Sequence, residues 1–552
     1  MSSTIETASA VTDPYGASLP GGLPGGLPGS TPGPARAVES RDPATGEVWR
    51  TFATTSRDEV EAATARARKA QSAWAAQPLA VRIEVLRRFH EALFRRRIEV
   101  AEAVSRENGK PVGEAIGAEI ATVLDFADYY AAKAPGFLKA PWRGSFAMSM
   151  KRKRVRIARE PLGVIGIISP WNYPFMLASA AILPAIVTGN AVILKPSEFT
   201  PTSGALIGEL FAEAGLPDGV LQVLQGDGAT GAALSAADVD KIFFTGSVAT
   251  GRKVAIVCAD RFVPCSLELG GSDPAIVLAD ANIAHAASGI AWGRFSNAGQ
   301  TCVAPKRVFV ESAVYDVFVA ALGEAVKKLK VGPTATGAND VGPVIRPSSV
   351  ETLTAQLADA VERGATVSAT AAAATVPAGG SFFTPTVLTG VAPDARVLNE
   401  ETFGPLLPVV KVRDADEAIA LANASEFGLS ASIWTASNAR GAKLAERIEC
   451  GTVAINDACI VAGMSEVPHG GVKHSGSGRS HGMAGLEEVT RTKTTVVDQF
   501  ASWRQAWWFG YSPDTLDGVD AFVRFSHGRG FGAKLGALGG LMKFVFAPKR
   551  PL

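Results

Sequence analysis

Apolar and polar positions along this 552-residue chain follow two periods, and they divide it. Between Ser56 and Ala134, just before Pro135-Gly136, apolar residues return every three to four positions among Ala, Arg and Glu, which predicts helices. Ser56-Arg-Asp-Glu59 is the capping box that opens them. Residues 151–159 instead alternate basic and apolar side chains at period two, which favours a strand with one solvated face over a polyanion site. Beyond them, short apolar runs alternate with helical stretches. Strands are expected at 163–168, 191–195, 220–224 and 241–244, with helices at 174–187, 202–214, 229–237 and from Gly246. That order predicts a doubly wound α/β sheet able to bind a nucleotide. A second α/β set spans residues 272–478, with strands at 274–278, 307–310 and 452–455, and 494–498 reads as an edge strand.

The two ends fit neither period. Leu-Pro-Gly repeats between Leu19 and Gly29 predict a disordered lead over residues 1–38, with folded chain from the turn at Asp42-Pro-Ala-Thr-Gly-Glu47. Residues 499–552 are rich in Trp, Phe and Gly. From Ala521 onward they carry Arg524, Arg529, Lys534, Lys543, Lys549 and Arg550 and no acidic residue. Such a tail suits an anionic membrane surface, and equally an arm packed on a neighbouring subunit; Gly539-Gly540 should weaken a continuous helix there.

Composition narrows the classes. A formal net charge of +1 argues against a nucleic-acid partner, and a 47% hydrophobic content fits a globular chain with a large core. Five cysteines without a C-x-x-C pair argue against a disulfide framework and a metal site, and fit a reducing, cytoplasmic setting. Neither a signal peptide nor an apolar run of about 18 residues is visible.

Candidate chemistry centres on Phe295-Ser-Asn-Ala-Gly-Gln-Thr-Cys-Val303. Cys302 there can attack a carbonyl, and Glu268 in Leu267-Glu-Leu-Gly-Gly271, 34 residues upstream (302 − 268), can activate water. A lone cysteine is more often a small buried hydrophobe. Phe244-Thr-Gly-Ser-Val-Ala-Thr-Gly251 offers free N–H groups to a phosphate, or is simply a glycine-capped helix start. Lys195-Pro-Ser-Glu198 stands where ribose hydroxyls bind in such sheets, or is a solvated loop. Asn172 in Pro170-Trp-Asn-Tyr-Pro174 can donate to an oxyanion, or satisfy a turn. Glu401 and Phe403 can grip a ribose and a flat ring, or belong to a polar loop with one core Phe. In the loop from Pro468 to Arg479, His469 and His474 lack a paired carboxylate or metal-ligand spacing and read as non-catalytic.

Taken together and in order, Ser169-Pro-Trp-Asn172, Lys195-Pro-Ser-Glu198, Phe244-Thr-Gly-Ser247 with Gly251, Leu267-Glu-Leu-Gly-Gly271, Gly299-Gln-Thr-Cys302, Glu401-Thr-Phe-Gly-Pro405 and Gly470-Gly-Val-Lys-His-Ser-Gly476 resemble the aldehyde dehydrogenase superfamily over roughly residues 42–498. The resemblance implies an NAD-binding Rossmann-like domain (39–142 and 163–268), a catalytic domain (269–478) and a β ribbon (143–162 and 489–498) joining a homodimer or homotetramer. It implies Cys302 as nucleophile, Asn172 with the Cys302 N–H as oxyanion hole, and Glu268 as the base that hydrolyses a thioester. Ser169, Trp171, Lys195, Ser197, Glu198, Gly246, Ser247, Gly251, Leu269, Glu401 and Phe403 would hold the cofactor. The carboxylate of Glu198 favours NAD, with NADP open, because it accepts from a free ribose hydroxyl and repels a phosphate. Tyr173, Met176, Ala180, Ser296, Thr301 and His469 would line the substrate pocket. Ala180, Ser296 and His469 stand where the family often has aromatics, which implies a wide funnel for a bulky aromatic or long aliphatic aldehyde. Ser480 replaces a common acidic residue and leaves Glu268 as the sole base. Succinic semialdehyde, which would want an arginine in the funnel, is the rival substrate, and a non-catalytic structural relative is the rival class.

Overall fold

The computed structural model describes residues 37–546, apart from 148–149, 336, 373–375, 501–507, 510 and 512. The Pro/Gly-rich lead and the tail residues Trp503, Trp507, Lys549 and Arg550 lie outside the described residues. Folded chain begins earlier than the turn at Asp42 suggested. Ala37–Arg41 and Val48–Ala53 form an antiparallel hairpin across that turn, closed by the Asp42 N–H on the Glu47 carbonyl at 2.9 Å. Ala37–Arg41 has too few alternations to read as a strand, and pairing with its neighbour supplies what local pattern lacks.

Helices follow at Arg57–Ala75, Leu79–Arg95, Arg97–Asn108 and Thr122–Leu138, the first opened by the Ser56/Glu59 capping box. The last runs past Pro135, its expected stop. Pro135 is exposed in the final turn, where it removes a single donor, while Phe126, Tyr130 and Ala134 continue a buried face. Ahead of this helix, Ala115–Ala121 is wound as a π-helix. Glu107 ties three elements together. Its buried carboxylate accepts from Ser40 Oγ (2.7 Å) in the hairpin and from the N–H groups of Thr202 (3.0 Å) and Ser203 (2.7 Å), at the start of helix Pro201–Glu213.

The first α/β sheet has six strands in the order Gly476–Ser477, Cys265–Glu268, Lys241–Thr245, Val164–Ile168, Ala191–Lys195 and Leu221–Val223. Neighbours are parallel except Gly476–Ser477, which runs antiparallel and sets Gly476 opposite Glu268. Val164–Ile168 and Ala191–Lys195 are buried at every position, the signature of a sheet covered on both faces. The second sheet has seven strands, ordered Thr366–Thr370, Thr386–Thr389, Leu406–Val412, Pro305–Glu311, Asp273–Val277, Ser430–Trp434 and Thr452–Ile455; only the first is antiparallel.

A third, antiparallel sheet joins Lys153–Pro161 to Thr490–Asp498 and Arg143–Gly144. Thr490–Asp498 extends upstream of the edge strand that the local pattern marks at 494–498 and fills the ribbon segment expected at 489–498, paired along its length with Lys153–Pro161. In the tail, Pro513–His527 and Phe531–Phe546 form a helical pair. Gly539-Gly540 does not break the second helix: a Cβ on Gly540 would stand 2.8 Å from Ala521 Cβ, so the glycine permits close helix contact. Among the described residues no helix is long and apolar enough to cross a membrane.

Glu107→Ala strands several buried donors at once. It should lower unfolding stability by about 3 kcal/mol, read as a fall in the urea or thermal midpoint; an unchanged midpoint would show the network to be dispensable.

Candidate active site

Cys302 is placed by a backbone that few sequences tolerate. After helix Ile283–Phe295 the chain turns through Asn297 (φ 51°), Ala298 (φ 52°) and Gly299 (φ 74°), three left-handed residues in succession. At Gly299 a side chain would strike the Gly404 backbone, so glycine is required there. The strained turn is secured on both sides. Gln300 Oε1 accepts from the Ile345 N–H at 2.8 Å, and Asn297 Nδ2 donates to the Asn172 carbonyl at 2.8 Å. Lys306, fully buried, donates from Nζ to the carbonyls of Thr301 (3.0 Å) and Cys302 (2.5 Å).

The Asn172 segment, which follows strand Val164–Ile168, is held by the same means. Its backbone carbonyl also accepts from Lys110 Nζ (2.8 Å) and Asn108 Nδ2 (3.3 Å). Lys110 is ion-paired at 2.5 Å with Glu119, both side chains wholly buried. The other oxygen of Glu119 accepts from the N–H groups of Phe175 (2.8 Å) and Met176 (3.1 Å), capping helix Pro174–Thr188. Asn108, Lys110, Glu119, Asn297, Gln300 and Lys306 were all missed from sequence. The available signal was charged or amide side chains set in apolar surroundings, such as Lys306 within the buried strand Pro305–Glu311.

Glu268 ends strand Cys265–Glu268. Its Oε1 accepts from Ser480 Oγ at 3.2 Å, and its Oε2 lies 3.8 Å from His469 Nε2. Ser480, expected only as the replacement of an acidic residue, touches Glu268 directly. One expectation changes here: His469 does face a carboxylate. His474 also has one, with Nδ1 3.4 Å from Glu426 on the surface. Sequence spacing hid the first contact because His469 and Ser480 pair as a backbone bridge, 2.8 Å in each direction, which folds the glycine-rich loop back on itself. Burial governs the titration of the site. It raises the Cys302 thiol to about 12, against the pull of the Lys306 cation, raises Glu268 to about 8 and depresses His469 to about 4.

Two cavities meet at Cys302 and His469. The first, about 280 Å³, is lined by Ser169, Trp171, Asn172, Ala180, Gly246, Ser247, Leu269, Glu268, Glu401 and Phe403 as well. Trp171 and Phe403 meet edge to face at 5.4 Å, and Glu401 accepts from the Gly271 N–H at 3.0 Å. The buried Ser169 hydroxyl has no hydrogen-bond partner, which fits a polar ligand in this cleft. Lys195, Ser197, Glu198 and Gly251 do not line it. Lys195 and Glu198 pair with each other at 3.1 Å at the end of their strand, and Gly251 lets its helix approach Leu269, whose Cδ2 would stand 2.5 Å from an added Cβ. The second cavity, about 900 Å³, is lined by Tyr173, Met176, Ser296 and Thr301, with Tyr173 Oη 2.9 Å from Thr301 Oγ1. Ala180, expected in the substrate pocket, lines the first cavity instead. It lies one helical turn beyond Met176, roughly 6 Å along the axis. Among the described residues no cluster of metal-ligating side chains occurs.

Residues 31–495 match the family model described as "Aldehyde dehydrogenase family". The chain is 39% identical over 463 residues to a 4,4'-diapolycopene aldehyde oxidase of Methylomonas sp, covering 84% of this chain and 86% of that protein. It is 36% identical over 465 residues to a putative succinate-semialdehyde dehydrogenase [NADP(+)] of Mycobacterium ulcerans (strain Agy99), covering 84% and 89%. The crystal structure of a putative aldehyde dehydrogenase from Burkholderia cenocepacia superposes with a TM-score of 0.80 at 37% identity, over 84% of this chain and 97% of that one. The chain belongs to the aldehyde dehydrogenase family. It is an NAD(P)-dependent oxidoreductase with the mixed α/β fold of that family.

Glu119→Ala leaves the Lys110 ammonium buried without a counter-charge. It should cost about 3–5 kcal/mol of stability, measured as a shifted unfolding midpoint, and should lower turnover further than stability alone explains by loosening the Asn172 segment.

Proposed function

We propose that this enzyme oxidises long or bulky apolar aldehydes to their carboxylates. One observation carries the reading. The cavity of about 900 Å³ that ends at Cys302 is walled by apolar side chains such as Leu177, Trp292, Leu329, Ile460 and Met464, and among the described residues no lysine or arginine lines it. Its charged residues are Glu114 and Asp340. A substrate with a distal carboxylate, such as succinic semialdehyde, would meet no cation and two carboxylates, whereas an apolar chain loses nothing by desolvation. The diapolycopene aldehyde named for one relative agrees with this preference, and the semialdehyde named for another is the reading it opposes.

In the proposed reaction the Cys302 thiolate attacks the aldehyde carbon, and Asn172 with the Cys302 N–H hydrogen-bonds the oxyanion of the thiohemiacetal. NAD(P)+ would be held in the first cavity by residues such as Gly246, Ser247, Glu401 and Phe403, where it would supply the acceptor for the hydride of the aldehyde carbon. The thioester left on Cys302 is attacked by water, whose proton passes to the Glu268 carboxylate; the C–S bond breaks and the thiol is restored. Only ionised Glu268 can accept that proton. With its carboxyl raised to about 8 by burial, hydrolysis should rise as pH climbs through that value and fade below it. The Glu198 carboxylate supports NAD over NADP.

The remaining surfaces fit the same substrate. Ile157, Val496 and Val497 are exposed on the β ribbon, and we assign that ribbon to contact between identical subunits in a homodimer or homotetramer. In the tail, Phe531 and Leu535 are exposed on the helix that also carries exposed Lys534, with exposed Arg529 just before it, a combination that complements an anionic membrane surface where apolar aldehydes collect.

NADH formation on an aldehyde panel tests this directly. Catalytic efficiency, kcat/KM, should climb about fourfold per added methylene until the cavity is filled, with long or aromatic aldehydes far ahead of succinic semialdehyde. Best turnover on succinic semialdehyde would sink the reading. Cys302→Ala should abolish NADH formation, and Glu268→Gln should give one burst followed by a stalled thioester.

A further inference from the structure

Behind Glu268 stand two buried histidines that the reaction as written does not use. His469 is 3% exposed and His481 fully buried; their rings stack at 5.3 Å and 20°, and Phe126 packs on His481 at 4.7 Å. Both rings line the cavity that holds Glu268 and Cys302. The arrangement is costly in two respects. Glu268 Oε2, His469 Nδ1 and both nitrogens of His481 are buried without a hydrogen-bond partner. His481 also sits at φ 60°, ψ 169°, a region used almost only by glycine. Phenylalanine at either position would fill similar space without stranded nitrogens. Strain and unpaired polar groups kept together beside a reacting carboxylate point to a role in its chemistry.

We propose that His469 is a positioning residue for the hydrolytic step: neutral, with its proton on Nε2, it donates to Glu268 Oε2 whenever that carboxylate is ionised, and His481, stacked behind it, fixes the ring. No proton leaves His469; the proton of the attacking water still goes to Glu268. The 3.8 Å gap in the resting site closes to hydrogen-bond length by a small turn of either side chain. Donation to the charged form favours ionisation, so His469 counters the burial that otherwise keeps Glu268 protonated. The other groups around the pair are accounted for. Arg479 lies near both side chains, Ser480 already serves Oε1, and Glu488, which acts on Glu268 electrostatically, is itself paired with Lys241. Cys302 faces Glu268 across the cavity.

This inference rests on Glu268 being the hydrolytic base, and the experiment separates the two. Thioester decay is followed by rapid quench across pH in the full-length enzyme loaded with NAD and a long-chain aldehyde, the NADH burst reporting that each variant is folded and acylated. In His469→Phe the acid limb of decay should move upward by about one pH unit, slowing hydrolysis at neutral pH about tenfold. His469→Gln, which keeps a donor, should return most of that shift, and His481→Phe should show part of it. His469→Ala is made in parallel, so that a folding failure in one variant leaves the other to decide. An acid limb in the same place as in the parent enzyme, or an equal shift in His469→Gln, overturns the proposal. If Glu268→Gln hydrolyses its thioester normally, the reading of Glu268 fails instead.

Discussion

Everything at the reactive centre hangs on one buried ion pair. Lys110 and Glu119 lie outside the first α/β sheet, one after the helix ending at Asn108 and the other on a π-helical turn, yet each is committed to the Asn172 segment. Lys110 grips the Asn172 carbonyl and Glu119 caps the helix that begins two residues later. A pair this deeply buried gains little net stability over an apolar substitute, because desolvation offsets most of its attraction. Its value is geometric. Asn297 donates to the same carbonyl, so the Asn172 segment and the cysteine loop, which adjoin different sheets, are fixed against one acceptor. The π-helix fits this view: its wider turn alters where Glu119 points, and such turns are common where function needs it.

Sequence showed the residues expected to react better than those that hold them. Strands such as Val164–Ile168 and Ala191–Lys195 are apolar at nearly every position, so period and length sufficed. Cys302, Glu268 and Asn172 stand in short local motifs, and the structure brings all three to one cavity. Asn297 and Gln300 lie inside such a motif, but their partners, Asn172 and Ile345, are remote in the chain, and no local rule pairs them. The His469–Glu268 approach was hidden in the same way, by a loop that folds back only because Gly470, Gly476 and Gly478 hold positive φ. Ala37–Arg41 and the continuous helix across Gly539-Gly540 share a different cause. There, contact with a neighbouring element overrode a weak local signal.

The electrostatics of the site follow from burial. Cys302, Glu268 and Glu401 are all shifted toward their neutral forms by burial; Lys306, whose ammonium lies 3.8 Å from Glu401 and bonds the Cys302 carbonyl, opposes the shift at Cys302 and Glu401, and Arg479 opposes it at Glu268. A largely apolar cavity and a reluctant thiol thus meet at Cys302. Burial that favours apolar contact also withholds solvation from the thiolate. Groups that stabilise charge in such a cavity act best when fixed in place, because burial leaves less solvent to adjust around them. That requirement explains why Lys306, Asn172 and Glu268 are each held by neighbours on more than one element. A neutral donor beside Glu268, as proposed for His469, would favour the carboxylate without adding charge, whereas an added cation would incur a burial cost of its own.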